Sequence, residues 1–117
     1  MRDLELPATQ AAPYTESAET TYSNSATILI AHSLGVVPKD WEVILRCKTA
    51  ENGYSVGDEV RGSFMYFNAG VTFGSFPFAD ATNIGLITTV NPRQLGKTTN
   101  AIAILTPDNW RIVACWR

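Results

Sequence analysis

The sequence is short of most residues that announce chemistry. It holds one histidine and two cysteines in 117 residues. With no CxxC spacing, Cys47 and Cys115 build neither a disulfide scaffold nor a structural zinc site. So sparse a cysteine content fits synthesis in a reducing cytoplasm. A dominant charge is missing too. Nine Lys and Arg against eleven Asp and Glu leave a net charge of −2. That argues against a nucleic-acid partner, since displacing counterions from phosphates takes a clustered basic footprint. Long apolar runs are absent as well: the longest, Ala26 to Ala31, is far below the roughly twenty residues that cross a bilayer. No basic segment precedes an apolar one at the N-terminus, so the expectation is a soluble protein with no secretion leader and no membrane insertion. The length allows one domain. A chain of this size buries roughly two-thirds of the surface it exposes when unfolded, enough for an apolar core but not for a two-domain enzyme with a cleft between its halves.

Two kinds of sequence are present. Residues 1–25 carry Pro7 and Pro13, four acids against one base, and nine Ser, Thr, Asn or Gln after position 8, with no sustained periodicity. Such a segment buries too little apolar surface to offset the entropy of ordering it, and alone it should be mobile or extended. It reads either as a fraying terminus or as an arm that orders against a neighbouring subunit or a larger assembly, with Leu4, Leu6, Tyr14 and Tyr22 as its apolar anchors. From residue 26 the pattern changes to short runs of period-two alternation, broken by Gly, Pro, Asn and Asp every eight to twelve residues, the signature of an all-β sandwich. The pattern predicts strands over 26–31, 41–48, 60–67, 71–76, 83–90, 100–105 and 110–117. Pro77, and Asn91-Pro92 with Gly96, fall among the breakers.

Alternation also sets the faces. Trp41, Val43, Leu45 and Cys47 share one side of their strand, and Trp110, Ile112, Ala114 and Trp116 one side of the last. These Trp faces should build the core. Cys47 then points inward and Cys115 outward, which disfavours a disulfide because its β-carbons must lie within about 4.5 Å. The middle hairpin, GSFMYFNAGVTFGSFPF, is apolar on both sides. A strand apolar on both faces is covered on both, by a deep position in the sandwich or by a neighbouring subunit. A body of this size hardly supplies the deep position, so Met65, Phe67, Phe73 and Phe76 are expected at an oligomer interface.

The candidate chemistry is thin. His32, in AHSLGVVP, lacks a nucleophile partner or metal companions and is best read as hydrogen-bonding the turn that Gly35 and Pro38 shape. Glu51, Asp58 and Glu59 gather around two glycines, but neither a calcium loop nor a glycosidase carboxylate pair has that spacing. The loop reads as solvated or, at a sandwich end, as ligand-contacting. Tyr54, between Gly53 and Gly57, is the aromatic most free to meet a ligand, whereas the inward phase of the three Trp places them in the core. No catalytic residue, metal site or cofactor is expected, and the chain does not read as an enzyme.

A set of motifs carries a resemblance. His32, Leu34, Gly35 and Pro38 form a His-x-Leu-Gly-x-x-Pro turn. Cys47, Thr49, Ala50, Glu51, Gly53, Tyr54, Gly57, Asp58 and Glu59 form a C-x-T-A-E-x-G-Y-x-x-G-D-E loop. Asn109, Trp110 and Arg111 open the closing strand, and Ala79–Gly85 reads ADATNIG. Over residues 27–117 this resembles the small β domains of tailed-bacteriophage virion proteins, and more loosely the H-type lectin domains, sandwiches that assemble as trimers or hexamers and bind sugars. The resemblance implies a non-enzymatic component of a virion, made in the host cytoplasm: a capsid decoration, head spike or tail fibre subunit, homotrimeric or hexameric, attached to other virion proteins through its N-terminal arm. The alternative it implies is a lectin-like module whose loops, around Tyr54, Asp58 and Asn83, hold host surface polysaccharide during attachment. The fold expected is thus an antiparallel β-sandwich of about six to seven strands at 26–117, preceded by an extended docking arm at 1–25.

Overall fold

Alternation decides the two central strands. In the computed structural model, which describes residues 14–61 and 64–117, Trp110–Trp116 pairs antiparallel with Trp41–Cys47 along its whole length, Trp110 opposite Cys47 and Trp116 opposite Trp41. Numbered in chain order, the described strands are β1 (Thr15–Glu16), β2 (Thr20–Thr21), β3 (Thr27–Ala31), β4 (Trp41–Cys47), β5 (Glu59–Arg61), β6 (Phe64–Asn68), β7 (Val71–Ala79), β8 (Asn83–Thr88), β9 (Arg93–Leu95), β10 (Ile102–Ile104) and β11 (Trp110–Trp116). A 3-10 turn, Pro107–Asn109, leads into β11. No helix among the described residues is long and apolar enough to cross a membrane.

The strands form two antiparallel sheets and a ribbon. The first sheet runs β1-β11-β4-β5, with β2 also on the free edge of β11; the second runs β3-β8-β7-β6; β9 and β10 make the ribbon. The core lies between the sheets. Val43, Leu45 and Cys47 from β4 and Trp110, Ile112, Ala114 and Trp116 from β11 meet Ile84 and Leu86 from β8 there, with Ile28, Ile30 and Ala79 packed against them. The Trp faces therefore do build the core of an all-β sandwich, as their phase requires.

Several boundaries differ from the sequence expectation. The run 60–67 is not one strand, because β5 belongs to the first sheet and β6 to the second. Pro77 does not break β7; it lies within Val71–Ala79, opposite Leu86. Asn91-Pro92 and Gly96 flank a strand, β9, whose three residues are too few to show alternation.

The largest correction concerns residues 14–25. Strands β1 and β2 hydrogen-bond to β11, Glu16 opposite Cys115 and Thr20 opposite Ile112. Between them Ser17 receives the Ala114 N–H on its hydroxyl and donates its own N–H to the Ala114 carbonyl, both at 2.9 Å. Tyr22 is not a free anchor but a core residue, 1% exposed. Burial is the main cause that pushes its pKa up to about 12, and its hydroxyl sits beside Ser75 without a well-formed hydrogen bond. Tyr14 remains exposed, with the Arg117 guanidinium 4.4 Å over its ring. Leu4 and Leu6 lie outside the described residues.

Candidate functional site

The loop residues expected to meet a ligand stand apart, and the side chains of Tyr54 and Asp58 are engaged within the fold. The Tyr54 hydroxyl donates to the Leu95 carbonyl at 2.7 Å, and its ring packs edge-on against Trp110 with centroids 5.3 Å apart. Tyr54 is thus a structural residue, contrary to the sequence expectation. Asp58 is paired with Lys97 at 2.7 Å. That pairing, followed by the Ser55 N–H, holds its carboxyl below the usual range. Asn83 is half-buried at the other end of the sandwich, its N–H donated to Asp80 Oδ1 at 2.7 Å. Tyr54 packs beside Trp110 and the end of β4, whereas Asn83 lies with His32 near Trp116 and the start of β4. Seven residues of strand, roughly 20 Å, separate the two ends. The structure therefore does not gather Tyr54, Asp58 and Asn83 into one site.

His32 and Glu51 are framework. The Leu34 N–H donates to His32 Nδ1 at 3.1 Å, so Nε2 carries the proton and donates to the Asp80 carbonyl at 2.7 Å. At 4% exposure the ring fastens two turns, the role expected for a lone histidine. Glu51 accepts from Trp110 Nε1 at 2.8 Å and from the Thr106 N–H at 2.9 Å. One carboxylate thereby ties the loop after β4 to the entry of β11. Among the described residues no group of three His, Cys, Asp or Glu could hold a metal. Both cysteines are buried free thiols whose pKa burial raises, which suppresses the nucleophilic thiolate. Cys115 does point away from the core, but it is covered, with Ile44 and Val113, rather than exposed.

What the molecule does present is an apolar sheet face. Directly opposed residues of antiparallel strands share a face. The register Thr27↔Ile87, Ile87↔Phe76, Gly74↔Met65 and Thr72↔Phe67, with Leu29 opposite Gly85 and Gly85 opposite Phe78, puts Leu29, Ile87, Phe76, Met65 and Phe67 on the side of the second sheet away from the core. All are open to solvent: Phe67 at 71%, Leu29 at 53%, Phe76 at 52%, Met65 at 46% and Ile87 at 44%. The Phe78 ring lies against Gly85, where a Cβ would stand 2.3 Å from it. Glycine there lets the aromatic ring extend the apolar floor instead of standing out from it.

Three of the four residues expected at an oligomer interface, Met65, Phe67 and Phe76, are on this face. Phe73 is not. It pairs with Tyr66 on the opposite side of the sheet, half-buried, with the Arg93 guanidinium 4.6 Å over its ring. Leu29 and Ile87 stand in runs that also feed the core, and in the sequence only their phase against Ile28 and Leu86 marks them as outward.

No protein family, curated protein or solved structure matches the chain.

Proposed function

We propose that the protein is a non-enzymatic, homo-oligomeric structural subunit of a tailed-phage virion, a decoration, spike or fibre component. The observation that carries the oligomeric part is the bare outer face of the second sheet. A fully buried aromatic side chain removes about 150–250 Å² from water, so five side chains about half exposed or more leave on the order of 500 Å² of contiguous apolar surface. That is near the top of the range a monomer carries. Two copies covering one such face each bury about 1,000 Å², the size at which an interface becomes specific. At about 25 cal/mol per Å² this is roughly 25 kcal/mol of gross transfer free energy, against which stand about 4–15 kcal/mol or more of lost translation and rotation together with the ordering of side chains. A second copy is the occupant, because the face has no charge to select a different partner.

The virion setting is supported by the motifs around the His32 turn, the Tyr54 loop and the Trp110 strand. In this reading the attachment segment is the part of the chain ahead of Tyr14, with Leu4 and Leu6 as its anchors, since residues 14–25 are engaged by β11 and the core. The test is a truncation of residues 2–13. A folded oligomer that no longer attaches to particles is the expected result; unchanged attachment refutes docking through this segment. The truncation stops at Pro13 because a longer one would also extract Tyr22 from the core.

A further inference from the structure

Strand β6 is the last of the second sheet, paired with β7 on one side and with nothing on the other among the described residues. Its turn decides which backbone groups are free. Ala69 and Gly70 form a two-residue hairpin with φ of 52° and 80°, and the flanking pair is Asn68↔Val71. In such a hairpin the flanking pair exchanges both hydrogen bonds, and hydrogen-bonded pairs then alternate. Asn68 and Tyr66 therefore bond to β7, while the N–H and C=O groups of Met65 and Phe67 point to the open edge. Natural edges are guarded by charge, proline or a bulge. Over Met65 to Asn68 there is no charge, no proline and an unbroken register. The short edge strand of the first sheet, β5, is guarded by Glu59 and Arg61. The most exposed large apolar side chain among the described residues, Phe67, stands on this open edge.

We infer that β6 pairs antiparallel with β6 of a second copy about a twofold axis at Tyr66. The inference rests on the homo-oligomeric reading above and adds a second contact to it. Among the twofold registers that match outward groups to outward groups, this one uses both outward residues of β6: Met65 opposite Phe67 of the second copy and Phe67 opposite its Met65, four backbone hydrogen bonds in all. Opposed residues share a face, so each Phe67 gains a methionine thioether beside its ring, a favourable sulfur–aromatic contact. The two outer faces join into one eight-stranded surface, within the span open sheets reach without curling. A dyad also constrains the assembly: the number of copies must be even, so a threefold particle component built this way has six copies and not three.

The experiment is light scattering of the full chain together with two variants. Tyr66→Cys places thiols at a non-hydrogen-bonded pair on the axis, where α-carbons lie about 4.5 Å apart, within disulfide reach. Met65→Pro deletes one outward N–H per copy without touching the β7 ladder, a change an edge strand tolerates. The expected results are an even copy number, a covalent dimer of Tyr66→Cys on oxidation, and a halved mass for Met65→Pro with an unchanged circular dichroism spectrum. An odd copy number, or a wild-type oligomer in which Tyr66→Cys fails to cross-link and Met65→Pro keeps its mass, overturns the β6 pairing and leaves the outer-face oligomer standing. A monomeric wild type overturns both. An even oligomer that cross-links through Tyr66→Cys and keeps its mass with Phe76→Lys supports the pairing and overturns the outer-face contact.

Discussion

The two sheets expose opposite kinds of outer surface built from the same alternating pattern. On the first sheet, Ile44, Val113 and Cys115 form a small apolar spine, and charged side chains close over it. Arg46 reaches Glu59 at 2.8 Å and both Glu16 and Glu19 at 3.3 Å. Lys48 reaches Glu19 at 3.1 Å, and Arg61 bridges Glu42 and Glu59. The long stems cover the spine while the heads stay wet. On the second sheet the equivalent positions hold Leu29, Met65, Phe67, Phe76 and Ile87, and no described part of the chain covers them. One face is covered by the chain itself; the other is bare among the described residues. Glu16 and Glu19 come from the N-terminal segment, so the finish of the first sheet depends on that segment being zipped along β11.

The sharpest way to break this contrast is to charge the apolar face. Phe76→Lys should break the outer-face contact and lower the oligomer's mass, with a loss of at least about 3 kcal/mol, over a hundredfold in association. Its thermal unfolding should stay near that of the dissociated wild type, because Phe76 is outside the core. Light scattering and calorimetry read the two effects separately.

The N-terminal zipper has its own handle in alkali. Tyr22 has a folded pKa raised to about 12 from an ordinary value of 10. The unfolded chain ionises first as pH rises, so the stability is complete below pH 10 and falls between 10 and about 12. The loss should reach about 2–3 kcal/mol. Denaturant titrations at pH 9 and 12 measure it, and Tyr22→Phe should flatten the slope.

Glu51→Ala removes Oε1, the oxygen that accepts from both the Trp110 indole N–H and the Thr106 N–H. It should cost about 1–3 kcal/mol by leaving those two donors without their partner. Chemical denaturation would show the loss, with the oligomer mass unchanged.

The smallest effect belongs to the charged face. Arg46→Met removes a guanidinium whose pKa its carboxylate partners, Glu59 foremost, push up. Because the pairs are largely solvated, the loss should be about 1 kcal/mol or less and shrink in high salt. The hydrogen bond from Lys48, ahead of that from Arg46, holds the Glu19 carboxyl below the usual range. Its contribution is therefore present above the ordinary carboxylate pKa and lost as pH falls through the folded value. Wild type and Arg46→Met should converge in acid.

Long strands were legible because several alternating positions vote on each face. The phases of β4 and β11 put every Trp where the structure has it. Short strands carry no such vote, and Tyr22 follows a two-residue strand whose pairing partner stands about ninety positions away in sequence. Its neighbours are Ser, Thr and Asn, a composition that reads as an arm until β11 offers a free edge. Tyr54 misled for a related reason. Gly53 and Gly57 announce a loop, but only the ribbon folding back beside it supplies the Leu95 carbonyl that takes its hydroxyl.

By itself the sequence determined the all-β class, the Trp-lined core, the separation of the two cysteines onto opposite faces and the apolar excess of the middle hairpin. Each follows from period-two alternation, a local property of the chain. Tertiary structure alone decided that residues 14–25 seal the first sheet, that Tyr54, Asp58 and Asn83 stand at opposite ends, and that Leu29 and Ile87 join Met65, Phe67 and Phe76 on one bare face. Those outcomes depend on which strand lies beside which, and strand neighbours are chosen by packing between residues far apart in the chain.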